Sequence, residues 1–171
     1  MNSNILLSPH FKLSEFEVSR TAEEHGIANV APPEAVENLR RLCECCLEPL
    51  RKAIGLPMVI TSGYRTKALN EILVHAARRS QHMSGQAADF HISPSGVSGS
   101  KFQVPSRREL LIKAFRLIIT CESIDFDQLI LYPGFIHVSY VSKQANRHKL
   151  TKAFGNGKYC ALSREQALAL V

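Results

Sequence analysis

Apolar positions recur at helical spacing from residue 36 onward: Val36, Leu39, Leu42, Cys43, Cys46, Leu47 and Leu50. Pro33 suits the first position of that helix. Pro49 lacks a backbone donor, so the helix is predicted to kink or end near it. Met58 to Thr61 is short, apolar and partly β-branched, a predicted strand that Ser62-Gly63 closes. A second helix is predicted from about Thr66 to Arg78, with Ala68, Leu69, Ile72, Leu73 and Ala76 on one face. Gln86 to Ile92 is another predicted strand, and Ser93 to Val104, with its Pro, Gly and Ser, a loop. Ser106 with Glu109 forms a capping-box pattern that opens a helix to about Cys121. Two strands follow, Asp127 to Tyr132 and Phe135 to Val141, and the Pro133-Gly134 turn between them predicts a hairpin. Asn146 to Phe154 adds a strand, and Ser163 with Gln166 caps a short last helix. This order of elements predicts an α+β fold, an antiparallel β-sheet with packed helices.

Composition narrows the setting. A chain of 171 residues, 45% apolar and 21% charged, fits one globular domain over residues 1–171. No apolar run reaches the roughly 20 residues that cross a bilayer. Ile5-Leu6-Leu7 is too short for a signal-peptide core, so the expected location is cytoplasmic. Five cysteines, an odd number, argue against a disulfide scaffold and for reduced, buried thiols.

The net charge of +6 is read first as a solvated basic surface. Nucleic acid is not expected as a partner: there is no zinc finger, RNA-recognition signature or basic heptad, and no Trp for a stacking platform. An anionic cell envelope remains open as a partner.

The densest chemistry lies in Ser80-Gln81-His82-Met83-Ser84-Gly85-Gln86-Ala87-Ala88-Asp89. A His on a loop and an Asp on the following strand, separated by small residues, let the backbone pass close to a metal. A third nitrogen or oxygen ligand completes a zinc site with one open position. His137 is the best candidate, on a strand whose apolar Ile136 and Val138 face the other way. Spacing alone leaves His10, His25, His75, His91 and His148 available for that third position.

Ser80-x-His82-x-x-Gly85-x-Ala87-x-Asp89 followed by His137-Val138-Ser139 resembles the family of zinc D-Ala-D-Ala metallopeptidases. Ser62-Gly63-Tyr64-Arg65, Phe11-x-Leu13-Ser14-Glu15-Phe16 and the helix from Asn38-Leu39 to Arg51 are similar to other parts of that family. The resemblance covers about residues 11–141 and is strongest to the small single-domain branch found in bacterial genomes and prophages. It implies the Hedgehog/DD-peptidase fold, a Zn2+ cofactor on His82, Asp89 and His137, and hydrolysis of peptidoglycan stem or cross-link peptides, as a carboxypeptidase or endopeptidase. It gives Arg65 the role of binding substrate and stabilising an oxyanion, which suits a permanently charged guanidinium. A prophage-type lysis route would bring such a chain to the cell wall.

One element of the family pattern is missing. An acid is expected shortly before the last His, and Leu129 to Ile136 contains none. Three residues stand as alternatives for the base. Tyr132 occupies the place of a glutamate in the preceding strand, Asp127 is the nearest upstream acid, and His91 shares a strand face with Asp89. The missing acid also keeps a second function open, a metal-holding module that binds wall peptide with little or no turnover. The segment His75-Ala76-Ala77-Arg78-Arg79 departs from the glycines of relatives, an expected source of altered substrate choice.

Overall fold

The computed structural model describes residues 5–74, 76–94 and 105–170. His75 and most of the predicted loop from Ser93 to Val104 lie outside them. The chain opens with a small antiparallel ribbon, β1 (Leu6–Ser8) and β2 (Phe11–Lys12), then two short helices, α1 (Leu13–Glu17) and α2 (Arg20–Glu24). Phe11 and Phe16, from the segment similar to the family's start, are fully buried and pack edge to face.

The predicted long helix forms as α3 (Pro33–Leu42), a π-helical turn (Cys43–Leu47) and α4 (Glu48–Ile54). Pro33 takes the first turn as expected. Pro49 distorts the helix without ending it. Its missing N–H releases the Cys45 carbonyl, which accepts from the Asp125 backbone at 3.0 Å instead. The Glu48 N–H reaches back to Cys43 O, which widens the turn.

The strands β3 (Met58–Ser62) and β4 (Ala87–Ile92) flank α5 (Lys67–Ile72). That helix is shorter than its apolar periodicity predicts. Ala68 and Ile72 of the supposed inner face are exposed, only Leu69 is buried, and Leu73 turns extended. With little apolar surface to cover, the helix gains nothing by continuing. The capping box on Ser106 opens α6 (Arg107–Thr120), as expected. The hairpin follows as β5 (Gln128–Leu131) and β6 (Ile136–Ser139), then β7 (Lys149–Ala153), β8 (Tyr159–Ala161) and α7 (Arg164–Leu168).

The six-stranded sheet runs β3-β4-β6-β5-β7-β8. It is antiparallel except where β7 pairs parallel with β5. One face, with Ala88, Phe90, Leu129, Leu131, Ile136, Val138 and Leu150, packs into the core with α4 and α6. The opposite face carries Asp89, His137, Ile130 and Thr151 in one cross-strand row. The fold is α+β, a sheet with packed helices, consistent with the peptidase fold that the sequence resemblance implies.

Candidate metal centre

The segment from Ser80 to Asp89 folds as a turn followed by a strand. Ser80 Oγ accepts from the His82 N–H at 3.4 Å and starts a 3-10 turn, Gln81–Ser84. Gly85 ends it with φ of 71°, the left-handed region that favours glycine. A Cβ on Gly85 would meet Ala35 O at 2.3 Å, so the turn sits hard against the start of α3. Asn38 Nδ2 fastens the contact by donating to Ser84 O at 2.9 Å.

The end of β3 supplies the other wall. Ile60 pairs with Phe90 and Ser62 with Asp89, so Thr61 is an extra residue, a bulge that re-aims the chain beside the site. Gly63 and Arg65 follow the bulge. The Tyr64 N–H donates to Phe16 O at 2.7 Å, and Asn29 Nδ2 donates to both Glu17 O and Tyr64 O at 2.9 Å. The N-terminal arm thus holds the Ser62–Arg65 segment in place.

Three side chains converge where these walls meet β6. His82 Nε2 is 3.3 Å from His137 Nδ1 and 3.4 Å from Asp89 Oδ1, and His137 Nδ1 is 2.8 Å from Asp89 Oδ1. His82 Nδ1 lies 2.7 Å from Gly63 O. A carbonyl can only accept, so that nitrogen carries the proton and Nε2 turns its lone pair to the cluster. Burial pushes the His82 imidazole below its ordinary value, against the pull of Asp89, which keeps it neutral near pH 7. Burial works against ionisation of Asp89 too, but His82 and His137 outweigh it and hold its carboxyl well below the usual range. Two imidazoles and an ionised carboxylate are a donor set that suits zinc. The geometry agrees: tetrahedral ligand atoms about 2.0–2.1 Å from a metal stand about 3.3–3.4 Å apart, and two of the three separations match. Among the described residues this is the cluster of His, Cys, Asp and Glu able to hold a metal ion.

Arg65 closes one side. Its Nη2 donates to Asp89 Oδ2 at 3.1 Å and its Nε to Ser62 Oγ at 3.1 Å, while its backbone N–H donates to His82 O. Its Nη1 has no partner among the described residues, and Arg65 borders a cavity of about 990 Å³. The triad lies in the wall of that cavity, which continues across β5 to β7 and Tyr159 of β8.

The three residues considered as a base are placed differently. Tyr132 lines the cavity, stacks on Phe135 and shares a 3.3 Å hydroxyl contact with Tyr159. Burial first, then the Tyr159 hydrogen bond, push its phenol well above the ordinary value, so the hydroxyl stays protonated. Asp127 also lines the cavity, yet it is 1% exposed and engaged by Gln81 and Arg147. Burial raises its carboxyl, but the Arg147 and Gln81 bonds win and lower it to about 2. His91 is on the Asp89 face of β4, as alternation requires, but pairs with Val59 outside the cavity wall. Sequence reasoning missed Arg147, Lys149, Thr151 and Tyr159. Alternation about buried Leu150 marks the Lys149–Thr151 face, whereas nothing in the sequence sets Tyr159 apart.

The family model described as Peptidase M15 matches residues 9–113, more than half of the chain. The match takes in the Phe11–Phe16 segment, Arg65, His82 and Asp89, and ends before His137. No curated protein matches the chain. On the extent of that family match, the chain belongs to the peptidase M15 family, the zinc D-Ala-D-Ala metallopeptidases.

Proposed function

We propose that the whole chain forms one catalytic domain, a zinc-dependent hydrolase of peptidoglycan peptides, with His82, Asp89 and His137 as the metal ligands. The observation that carries this reading is the convergence of His82 Nε2, Asp89 Oδ1 and His137 Nδ1 in the wall of a peptide-sized cavity beside Arg65. Zinc bound there supplies Lewis acidity and lowers the pKa of a water to about 7.

The chain's own groups do the rest. The Gly63 carbonyl keeps the His82 proton on Nδ1. Arg65 neutralises Asp89 through Nη2 and offers Nη1 to the scissile carbonyl or to a substrate carboxylate. Tyr132, close enough for its phenol to feel Asp89 and Arg65, donates from its hydroxyl. Both carboxylates that line the cavity, Asp89 and Asp127, already face an arginine. Hydrolysis would therefore run without a free side-chain carboxylate as base among the described residues of the cavity.

That same pairing favours a second reading, a wall-peptide-binding module that holds metal with little turnover. Muropeptides carrying D-Ala-D-Ala and L-Ala-D-Glu bonds separate the two. Metal-dependent, chelator-sensitive products support the hydrolase. Stoichiometric binding without product supports the module, and neither binding nor product removes both.

A further inference from the structure

The cavity extends well past the triad. On the open face of the sheet Asp89 pairs across to His137, His137 to Ile130, and Ile130 to Thr151. Neighbouring strands stand about 4.8 Å apart, so β7 lies roughly 10 Å from His137.

Lys149, at the start of β7, and Arg147, just before it, line the cavity, both exposed. The Arg147 guanidinium is held through Nε and Nη2, the latter shared between Asp127 and Gln81 Oε1 at 3.5 Å. Its Nε donates to Asp127 Oδ1 at 2.8 Å, its Nη2 donates to Asp127 Oδ2, and its backbone N–H adds a bond to Oδ1 at 3.0 Å. Asp127 is buried and fixed in turn by Gln81 Nε2 at 2.9 Å. A side chain so held has given up its rotamer freedom before a ligand arrives. Its Nη1 has no partner among the described residues, and the side chain is 56% exposed. Lys149 makes no ion pair among the described residues. Beside them Thr151 is buried in the cavity wall with a hydroxyl that has no hydrogen-bond partner among the described residues.

We propose that Arg147 and Lys149 form a carboxylate subsite, which binds an acidic group of the substrate peptide two to three residues from the bond held at the triad. The proposal rests on the peptidase reading above. Thr151 is the β7 residue in the His137 row and Lys149 stands two residues along the strand, so Lys149 lies roughly 12 Å from His137, which an extended peptide at about 3.3–3.6 Å per residue spans with about three residues. A terminal carboxylate next to the scissile bond falls short of Lys149. A carboxylate further along the peptide reaches it. In a stem peptide the α-carboxylate of the γ-linked D-glutamate is separated from the D-Ala-D-Ala bond by two residues, the required spacing.

Two stem pentapeptides test this: L-Ala-γ-D-Glu-L-Lys-D-Ala-D-Ala with the glutamate α-carboxylate free, and the same peptide with that group as carboxamide. Binding to the zinc-loaded full chain is measured by calorimetry, and kcat and KM by product analysis. The acid peptide is expected to show a Kd and KM roughly five- to tenfold lower than the amide, an advantage that shrinks as salt rises. Arg147→Gln and Lys149→Gln should each reduce that advantage by raising KM for the acid peptide alone, with kcat within about twofold. Arg147→Gln strips a buried carboxylate of its partner and can unfold the chain. Lys149→Gln, at an exposed and unpaired side chain, then decides. Equal wild-type affinity for the two peptides overturns the subsite and leaves the peptidase reading standing. Equal weakening of both peptides in the variants does the same. A zinc-loaded wild type that neither binds nor cleaves either peptide overturns both.

Discussion

His82 donates its Nδ1 proton to the Gly63 carbonyl across 2.7 Å. The imidazole is thereby tied to the end of β3, and its Nε2 is held facing Asp89 and His137. Gly63 can hold that position because it has no side chain. A Cβ there would stand 2.5 Å from Phe16 Cα and Cβ and 2.6 Å from Phe16 O. The N-terminal arm, the Ser62–Arg65 segment and the proposed metal ligand therefore meet at one residue.

Gly63→Ala should accordingly lower stability by about 2–3 kcal/mol, because backbone atoms of α1 have to move. It should weaken zinc binding by roughly 10–100-fold through misorientation of His82. Gly134→Ala is the control, since nothing lies within 4 Å of the added Cβ. Thermal melts and competition with a zinc chelator read both effects. Wild-type zinc affinity in the Gly63→Ala protein would show that the Gly63 carbonyl does not orient the imidazole.

Zinc should stabilise the folded chain by mass action, about 2.7 kcal/mol at a hundredfold excess over Kd. For a chain of this size that is a Tm rise of roughly 5–10 °C. His137→Ala removes one of the three proposed ligands and should abolish both the rise and one-to-one zinc content by elemental analysis. A His137→Ala protein that retains one zinc per chain would place the metal elsewhere.

Tyr132 stands where an acid is expected, and its hydroxyl stays protonated. Tyr132→Glu puts a carboxylate on the same strand end, beside Arg65 and Asp89. General bases typically contribute about 10²–10⁴-fold, so kcat on wall peptides should rise about tenfold or more, with a new acid limb in the pH profile. Unchanged or lower kcat in a Tyr132→Glu protein of normal zinc content and Tm would show that a missing base does not limit the wild type.

The elements that carry periodic or capping signals were legible from the sequence, and so was the Ser80–Asp89 constellation. The capping boxes on Ser106 and Ser163 are local bonds between residues three apart, so they form wherever those residues occur in that order. His82 and Asp89 are tied by a short turn whose Gly85 is required by its φ. Illegible features depend on long-range pairing. The over-extended α5 depended on an inner face that the fold leaves exposed. The parallel β5–β7 pair, the reach of β8 and the capture of Asp127 by Arg147, twenty residues on, follow from how strands cross in space. Periodicity cannot encode those contacts, so Asp127 stood as a free acid in the sequence and is a paired one in the fold.

That pairing gives Asp127 a distinct pH signature. Its folded carboxyl is lowered to about 2, below an unfolded value of about 3.9. Between those values the unfolded chain binds the proton and the folded chain does not, so stability falls as pH falls. The contribution is complete above about pH 4 and lost on approach to about pH 2. The Arg147 partner is half exposed, so about 1–2 kcal/mol is expected from this residue. Glu48 and Asp89 are also lowered in the folded state and add their own acid lability. The wild type alone therefore cannot isolate Asp127, but its difference from Asp127→Asn can. Asparagine preserves the shape and does not titrate. Urea midpoints of both proteins from pH 7 to 2.5 should show a gap that is constant above pH 4 and narrows below it. A gap that keeps its full size down to pH 2.5 would mean that Asp127 holds Arg147 and Gln81 by shape and hydrogen bonding alone, with no contribution from its charge.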